Sequence, residues 1–338
     1  MCSNMKIDGD ERSFFMILVV GGAGYIGSHV VKQLVETKPV VVLDNLSTGH
    51  RYLVDKKAVF VHGDLGDRAT LVRIFEKYPI DAVMHFAANS LVGESVAEPM
   101  KYYKNNVAAT LTLLETMMAY GVKRFIFSST AAVYGIPNVD VITEQCPTNP
   151  INPYGRSKLM IEHMLADFAS AYDLRYVVLR YFNAAGAHES GEIGEDHQPE
   201  THLIPLILQH LLGMRDKISV FGTDYDTRDG TCIRDYIHVT DLAEAHILAL
   251  HALLSDEKKT ATYNLGNGLG YSVKEVIDMC ERVTGKKATI EYTARRPGDP
   301  ARLVASSENI ARELGWKATR SLEDIITSAW RWHASKRG

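Results

Sequence analysis

Cysteine is scarce in these 338 residues: Cys2, Cys146, Cys232 and Cys280 stand far apart, without Cys-x-x-Cys spacing. That excludes a zinc ribbon and a disulfide framework. The 13 histidines are scattered and include no His-Glu-x-x-His run, so no protein-bound metal is expected. No apolar run approaches the roughly 20 residues that cross a bilayer. The opening stretch MCSNMKIDGDERSFF is too acidic and broken for a secretory signal, which points to a cytoplasmic protein. An excess of positive charge is also missing, with 37 Lys and Arg against 41 Asp and Glu. Nothing therefore draws the chain to nucleic acid or an anionic membrane. Partners are expected among small molecules and other protein chains. Internal repeats and low-complexity segments are absent too.

What is present is ample core material: 46% of the residues are hydrophobic and 23% charged, which suits a globular chain of about two domains. Apolar, β-rich runs recur at MILVV, VVVLD, AVFVH, DAVMHF, RFIFSS and RYVVLRY, with helix-like stretches between most of them. That alternation predicts a parallel sheet covered on both faces, and the near-continuous hydrophobicity of the runs agrees with it. DRATLVRIFEKY places Leu71, Ile74 and Phe75 on one helical stripe, and the segment after Asn152 does the same with Ile161, Met164, Leu165 and Phe168. PMKYYKNNVAATLTLLETMMAY reads as one long helix. Beyond residue 185 the alternation stops at the polar loop HESGEIGEDHQPETH.

The run VVGGAGYIGSHVVKQLV passes from a strand through glycines into a helix, with Gly21, Gly22, Gly24 and Gly27 satisfying both Gly-x-x-Gly-x-x-Gly and Gly-x-Gly-x-x-Gly. Such a loop lets backbone N–H groups and the positive end of a helix meet a pyrophosphate. A glycine triplet by itself also fits a tight turn with no ligand. The context favours a dinucleotide: Asp44 ends the next strand twenty residues beyond Gly24, where a carboxylate would hold both ribose hydroxyls and repel a 2'-phosphate. NAD is thus expected rather than NADP. Asp64, after the third strand, is a candidate for the adenine amino group. The fold class read from these features is α/β, a Rossmann-type doubly wound parallel sheet with a smaller mixed α/β C-terminal substrate domain. Residues 1–15 read as an extension, 16–185 as the coenzyme domain and 186–338 as the substrate domain, with some segments returning to the first.

In a sheet of this kind ligands sit beyond the carboxyl ends of the strands. FSSTAAVYG places Ser128, Ser129 and Thr130 at such an end, ahead of NPYGRSK, where Asn152 can cap a helix and Pro153 can open it. Tyr154 and Lys158, four residues apart, then share one helix face. A lone Tyr-x-x-x-Lys is a common accident; its convergence with a strand-end hydroxyl and a dinucleotide loop is not. A phenol of pKa about 10 needs lowering by roughly three units, about 4 kcal/mol, to act as a base near neutrality. An ammonium about 4 Å away supplies that order at an effective dielectric near 20. Lys158 is therefore expected to make Tyr154 a usable base, with Thr130 beside it.

These residues resemble the extended short-chain dehydrogenase/reductases, most closely their UDP-glucose 4-epimerase branch, from Met16 almost to the C-terminus. The matching stretches include GGAGYIGSH, LDNLSTGHR, HFAA, VGES, YYKNNV, SSTAAVYG, YGRSK, RYFNAAGAH, VFGTDYDTRDGTCIRDYIHVTDLA, YNLGNG and RRPGD. The resemblance implies that Tyr154 removes the sugar 4-hydroxyl proton, directly or through Thr130, while hydride passes to bound NAD. A 4-ketopyranose forms, turns its other face, and is reduced to the inverted alcohol with no net oxidation.

The resemblance also assigns Gly21, Gly24, Tyr25, Ile26, Gly27, Asp44, Asn45, Asp64, Leu65, Phe86, Ala87, Ala88, Asn105, Ser128, Tyr154, Lys158, Tyr181 and Phe182 to the NAD site. Thr130, Tyr154, Asn183, His202, Leu203, Val220, Phe221, Arg234, Tyr236, Arg296, Asp299 and Leu303 are assigned to the UDP-sugar. Guanidinium forks suit a diphosphate and an aromatic floor suits a nucleobase. Departures stand at Val20, Ser90 and His202, where relatives often carry Thr, Lys and Asn. Leu303 replaces a large aromatic that narrows the sugar pocket in stricter relatives, so 2-acetamido sugars are expected to enter. Ala131 and Ala132 stand where sugar 4,6-dehydratases carry acids, which argues against dehydration. Pentose and uronate 4-epimerases stay open, since discrimination at C5 rests on pocket shape. A non-catalytic NAD sensor would have no use for Thr130, Tyr154 and Lys158 together. Relatives are often dimers, so a homodimer is expected, although the same apolar stripes suit packing onto the sheet.

Overall fold

The structure, a computed structural model, describes residues 15–296 and 299–336. The extension expected at 1–15 lies, apart from Phe15, outside the described residues. The six apolar runs form the strands β1 (Met16–Val20), β2 (Val40–Asp44), β3 (Val59–His62), β4 (Ile80–His85), β5 (Arg124–Thr130) and β6 (Arg175–Tyr181). A further strand, Thr260–Leu265, completes a seven-stranded sheet, which runs from it through β6, β5, β4, β1 and β2 to β3. Every pairing in this sheet is parallel. The chain steps outward from β1 in both directions, so a crevice opens beyond the carboxyl ends of β1 and β4.

Burial on both faces explains why the strands show no alternation in sequence. Ile17 and Val19 point into one core with Val42, Met84, Ile126 and Val177, beneath the helices Tyr25–Leu34 and Val239–Leu254. Leu18 and Val20 point into the other with Val83, Phe125 and Phe127, beneath Arg68–Lys77, Ala109–Ala119 and Pro153–Tyr172. The period of two is present in the geometry, but both phases are apolar.

The helix Pro153–Tyr172 forms as its sequence directs. The Asn152 side chain accepts from Gly155 N at 2.9 Å and Pro153 takes the first position. Ile161 and Leu165 are buried, while Met164 and Phe168 pack partly buried on the same core. The stretch expected as one long helix is interrupted. Pro99–Tyr102 leads into a widened π-helical stretch, Tyr103–Ala108, and then Ala109–Ala119. The widening brings Asn106 between two neighbours: its side chain accepts from Asn89 N at 2.9 Å and donates to Ser157 Oγ at 3.0 Å.

Residues beyond 185 divide. Val239–Leu254 and Thr260–Leu265 join the parallel sheet and its core. Leu203–Leu211, Val273–Thr284 and Leu322–Ser335 form a separate core with the short paired strands Ile218–Phe221 and Ile290–Thr293. This second unit sits at the strand ends, because Asn183–Ala185 follows β6 directly and pairs with Tyr236–His238. Among the described residues, no helix is long and apolar enough to cross a membrane.

Candidate active site

The glycines of the first turn are required for different reasons. Gly21 has φ +78°, and a Cβ there would lie 2.4 Å from Ala87 N; a Cβ at Gly27 would lie 2.3 Å from Gly21 O. Those two serve close packing of backbone on backbone. Gly24 does not: its φ of −79° and ψ of 175° suit any residue, and an added Cβ would meet only Gly21 O at 3.4 Å. The clear space lies at the N-terminus of the ten-residue helix Tyr25–Leu34, which has no side-chain cap. A site with N–H groups, a positive helix end and room where a side chain would stand fits the pyrophosphate of a dinucleotide.

Asp44 is 8% exposed. Its Oδ2 accepts from Ala23 N at 2.9 Å and its Oδ1 from Leu46 N at 2.8 Å, which fixes the carboxylate at the lip of the glycine turn. Asn45 Nδ2 donates to Asp64 Oδ2 at 2.8 Å. Gly21, Gly24, Asp44, Asn45, Asp64, Leu65, Phe86, Ala87, Ala88 and Asn105 line one groove of about 590 Å³ including its open mouth. Ser47, Thr48, Gly49, Gly63 and Asn89 line it as well, and the sequence reading had not placed them there. Gly49 is held there by packing that only the fold reveals: a Cβ would lie 2.7 Å from Ala23 C. Tyr25 and Ile26 turn their side chains elsewhere: Tyr25 Oη donates to Gly186 O at 2.7 Å and Ile26 packs on the core, while Gly27 has none to offer. None of these three lines the groove.

Thr130, Tyr154 and Lys158 are brought together, at 8%, 9% and 3% exposure. Lys158 Nζ donates to Ser128 O at 2.8 Å and lies 4.9 Å from the Phe127 ring centroid. Ser128 Oγ and Tyr181 Oη are 2.9 Å apart. The electrostatic order differs from the sequence-based arithmetic. Burial is the largest influence on Tyr154 and raises its pKa, and hydrogen bonding to Thr130 pulls it back. The same burial lowers Lys158 to about 7, with Glu162 opposing. Thr130 thus acts on the phenol against burial, and burial disfavours the charged form of both groups, a cost that the Tyr–Lys spacing alone does not show.

The substrate candidates gather on the second unit. Arg234 forms an ion pair with Asp299 and donates to Ile233 O at 2.7 Å. The Arg296 guanidinium stacks 3.9 Å from the Phe221 ring centroid, beside buried Val220. Leu303 pairs with Arg234 along parallel strands and packs against the cluster of Val133, Tyr134 and Ile142, as Phe182 does. This carries the arginine to the turn Ala131–Tyr134, which Thr130 Oγ1 opens by accepting from Ala132 N at 3.1 Å. Asn183 Nδ2 donates to Asp235 O at 2.8 Å, and Tyr236 and Leu203 pack into the second core.

His202 stands at the head of the helix Leu203–Leu211, its Nδ1 2.7 Å from Glu195 Oε1 and 3.1 Å from Glu200 Oε1. Burial works to lower its pKa, but hydrogen bonds and attraction to these carboxylates prevail and push it up to about 10. With His197 the group brings four ligand-type atoms within 4.8 Å of one another, so side chains without metal-motif spacing in the sequence meet in space. Their hydrogen bonds to one another account for the cluster.

Sequence reasoning missed two further features. Tyr225 is 5% exposed, and its hydroxyl has no hydrogen-bond partner among the described residues. Glu162, one turn beyond Lys158, forms a buried ion pair with Arg180 at 2.5 Å. Its i+4 spacing from Lys158 was the available signal.

Residues 17–266 match the model of the NAD dependent epimerase/dehydratase family. A UDP-glucose 4-epimerase of Halalkalibacterium halodurans is 55% identical over 319 residues, covering 94% of this chain and 95% of its own. The crystal structure of UDP-glucose 4-epimerase from Brucella ovis in complex with NAD superposes with TM-score 0.91 at 50% identity, covering 94% of this chain and 97% of that one. That from Bifidobacterium longum in complex with NAD+ and UDP gives TM-score 0.90 at 41% identity, over 95% and 99%.

Proposed function

The chain belongs to the NAD-dependent epimerase/dehydratase family, and from that premise we infer that it is an enzyme inverting C4 of a UDP-hexose, interconverting UDP-glucose and UDP-galactose. The observation that carries this reading is the burial of Thr130, Tyr154 and Lys158 together at the end of β5, beside a groove fit for a dinucleotide. When bound, NAD supplies a hydride acceptor that returns the same hydride, so the cycle is redox-neutral. The groove residues led by Gly24 and Asp44 would hold it.

The remaining work falls to the chain. In our reading Tyr154 takes the 4-hydroxyl proton and gives it back to the same oxygen once the ketone has been reduced from its other face, and Thr130 shares that proton. Lys158, fixed to Ser128 O, stabilises the phenolate when charged. Arg234 and Arg296 hold the diphosphate, Phe221 the uracil, and Asn183, His202, Leu203, Tyr236 and Asp299 shape the site around them. The burial of Thr130, Tyr154 and Lys158 limits the water that reaches the transient ketone. Leu303, aliphatic and half-buried, leaves room for a 2-acetamido group, which supports UDP-N-acetylglucosamine as a second substrate.

Residues 16–185 with 239–265 make up the coenzyme unit in this reading, and most of the remainder the substrate unit. Exposed Val96, Met100, Met160 and Tyr172 on the helices flanking the site support pairing of two copies, and the cell interior is the proposed location. Incubating the purified protein with UDP-galactose, without added NAD, and identifying the product sugar tests the activity. Recovery of UDP-galactose alone rejects it.

A further inference from the structure

Three consecutive residues at the end of β5 meet the helix Pro153–Tyr172 at three successive turns. Ser128 O accepts from Lys158 Nζ at 2.8 Å. Ser129 Oγ donates to Glu162 Oε1 at 2.6 Å. Thr130 and Tyr154 are buried at the same end, where Thr130 draws the phenol's pKa down against burial. Tyr154, Lys158 and Glu162 are spaced by four residues, so one helix face presents all three to one strand end.

Glu162 is itself clamped. Arg180 of β6 donates through Nε to Oε1 at 3.1 Å and through Nη2 to Oε2 at 2.5 Å. Arg180 Nη1 donates on to the Tyr134 hydroxyl at 2.9 Å, and Tyr134 donates to Asn264 Oδ1 at 2.7 Å. Glu162 and Arg180 are each 8% exposed. A buried ion pair is weak evidence for stability, because an apolar pair of similar volume often serves as well. Its place beside the reacting groups gives it another use.

We propose that Glu162 is a positioning residue for the epimerase reaction: it fixes Thr130, Tyr154 and Lys158 in one geometry and supplies the negative charge that keeps Lys158 an ammonium in a buried site. This rests on the reading that Tyr154 and Lys158 carry the proton chemistry. The groups around Lys158 leave that task to Glu162. Its own helix contributes Tyr154 and Glu162, β4 contributes His85, β5 contributes Thr130, and β6 contributes Arg180 and Tyr181. Burial lowers His85 to about 3, so it stands neutral. Burial raises the Tyr181 and Tyr154 phenols, so they too are neutral in the resting site. Arg180 carries the same sign as Lys158. Glu162 is thus the anionic group acting on Lys158 among the described residues, and its effect opposes that of burial.

The pH dependence of kcat/KM for UDP-galactose tests the proposal, using wild type, Glu162→Gln and Glu162→Asp. The Tyr154→Phe variant tests the underlying reading separately. Without the carboxylate, Lys158 gives up its proton at lower pH, so the alkaline limb of Glu162→Gln moves about one pH unit acidward and kcat falls. Glu162→Asp keeps the charge and loses the Ser129 contact, so its limb stays in place while kcat drops. Folded Glu162→Gln with a wild-type limb overturns the proposal, as does a lower melting temperature in both variants with no change in either limb. Should Glu162→Gln fail to fold, Glu162→Asp decides: reduced kcat with a wild-type limb supports the proposal, and wild-type kcat overturns it. Full turnover by Tyr154→Phe would instead remove the reading on which it rests.

Discussion

Lys158 Nζ donates to the carbonyl of Ser128 at 2.8 Å, two residues ahead of Thr130 on the same strand. The ammonium is therefore anchored to β5, and its charge is borne in a site that burial makes unfavourable for it. Its pKa in the fold, about 7, lies below the ordinary 10.5.

Between those two values the unfolded chain holds a proton that the folded chain has released. Stability from this group consequently rises as pH climbs from about 7 toward 10.5. Lys158→Met removes the effect. The unfolding free energy of wild type minus that of the variant, from urea titrations at about pH 6.5 and about pH 9, shifts in favour of wild type at the higher pH. A difference that is flat with pH contradicts the assignment.

Tyr154→Phe deletes the proton carrier and keeps the ring that packs edge-on against Tyr102, with centroids 6.5 Å apart. The variant is expected to fold and retain NAD while kcat falls roughly 10²- to 10⁴-fold. Turnover of UDP-galactose, set beside the NAD released on acid denaturation, measures both at once.

Gly24 and Gly27 separate coenzyme binding from folding. An alanine methyl at position 24 has only Gly21 O near it, at 3.4 Å, whereas one at position 27 meets Gly21 O at 2.3 Å. Gly24→Ala should keep the wild-type melting temperature of the coenzyme-free protein and lose bound NAD. Gly27→Ala should lose stability by about 1–3 kcal/mol. Equal NAD retention by wild type and Gly24→Ala would remove the pyrophosphate assignment.

Leu303 packs on the cluster of Val133, Tyr134 and Ile142, which follows Thr130 in the chain, so a larger side chain there narrows the space beside Thr130. Leu303→Tyr is expected to lower the ratio of kcat/KM for UDP-N-acetylglucosamine to that for UDP-glucose by about 10- to 200-fold, the range open to steric discrimination in a pocket. An unchanged ratio places the acetamido group elsewhere.

Much of the framework was legible because local chemistry and global fold agree. Six strands, the Asn152–Pro153 helix start and the glycine turn with Asp44 followed from runs and spacings in the chain, while Phe86, Ala87, Ala88 and Asn105 came from the family resemblance. Thr260–Leu265 was harder to see because it opens with exposed Thr260 and forms one edge of the sheet. The break at Tyr103–Ala108 carries no glycine or proline to announce it.

The electrostatics were least legible. Coulomb's law can be applied to a Tyr–Lys spacing, but the desolvation that raises Tyr154 and lowers Lys158 depends on what surrounds them in space. Glu195, His197, Glu200 and His202 likewise meet through a loop whose path no residue period predicts.

The strand Thr260–Leu265 and the helix Val239–Leu254 cover one edge and part of one face of a sheet that starts at Met16. During synthesis β6 leaves the ribosome with its outer backbone unpaired, and Ile126, Val177 and Leu179 stay uncovered until some eighty residues more have emerged. A nascent chain in that interval presents a sticky edge that invites misassociation. A gene fragment ending at residue 185 would keep that edge permanently and precipitate rather than yield a small coenzyme-binding module.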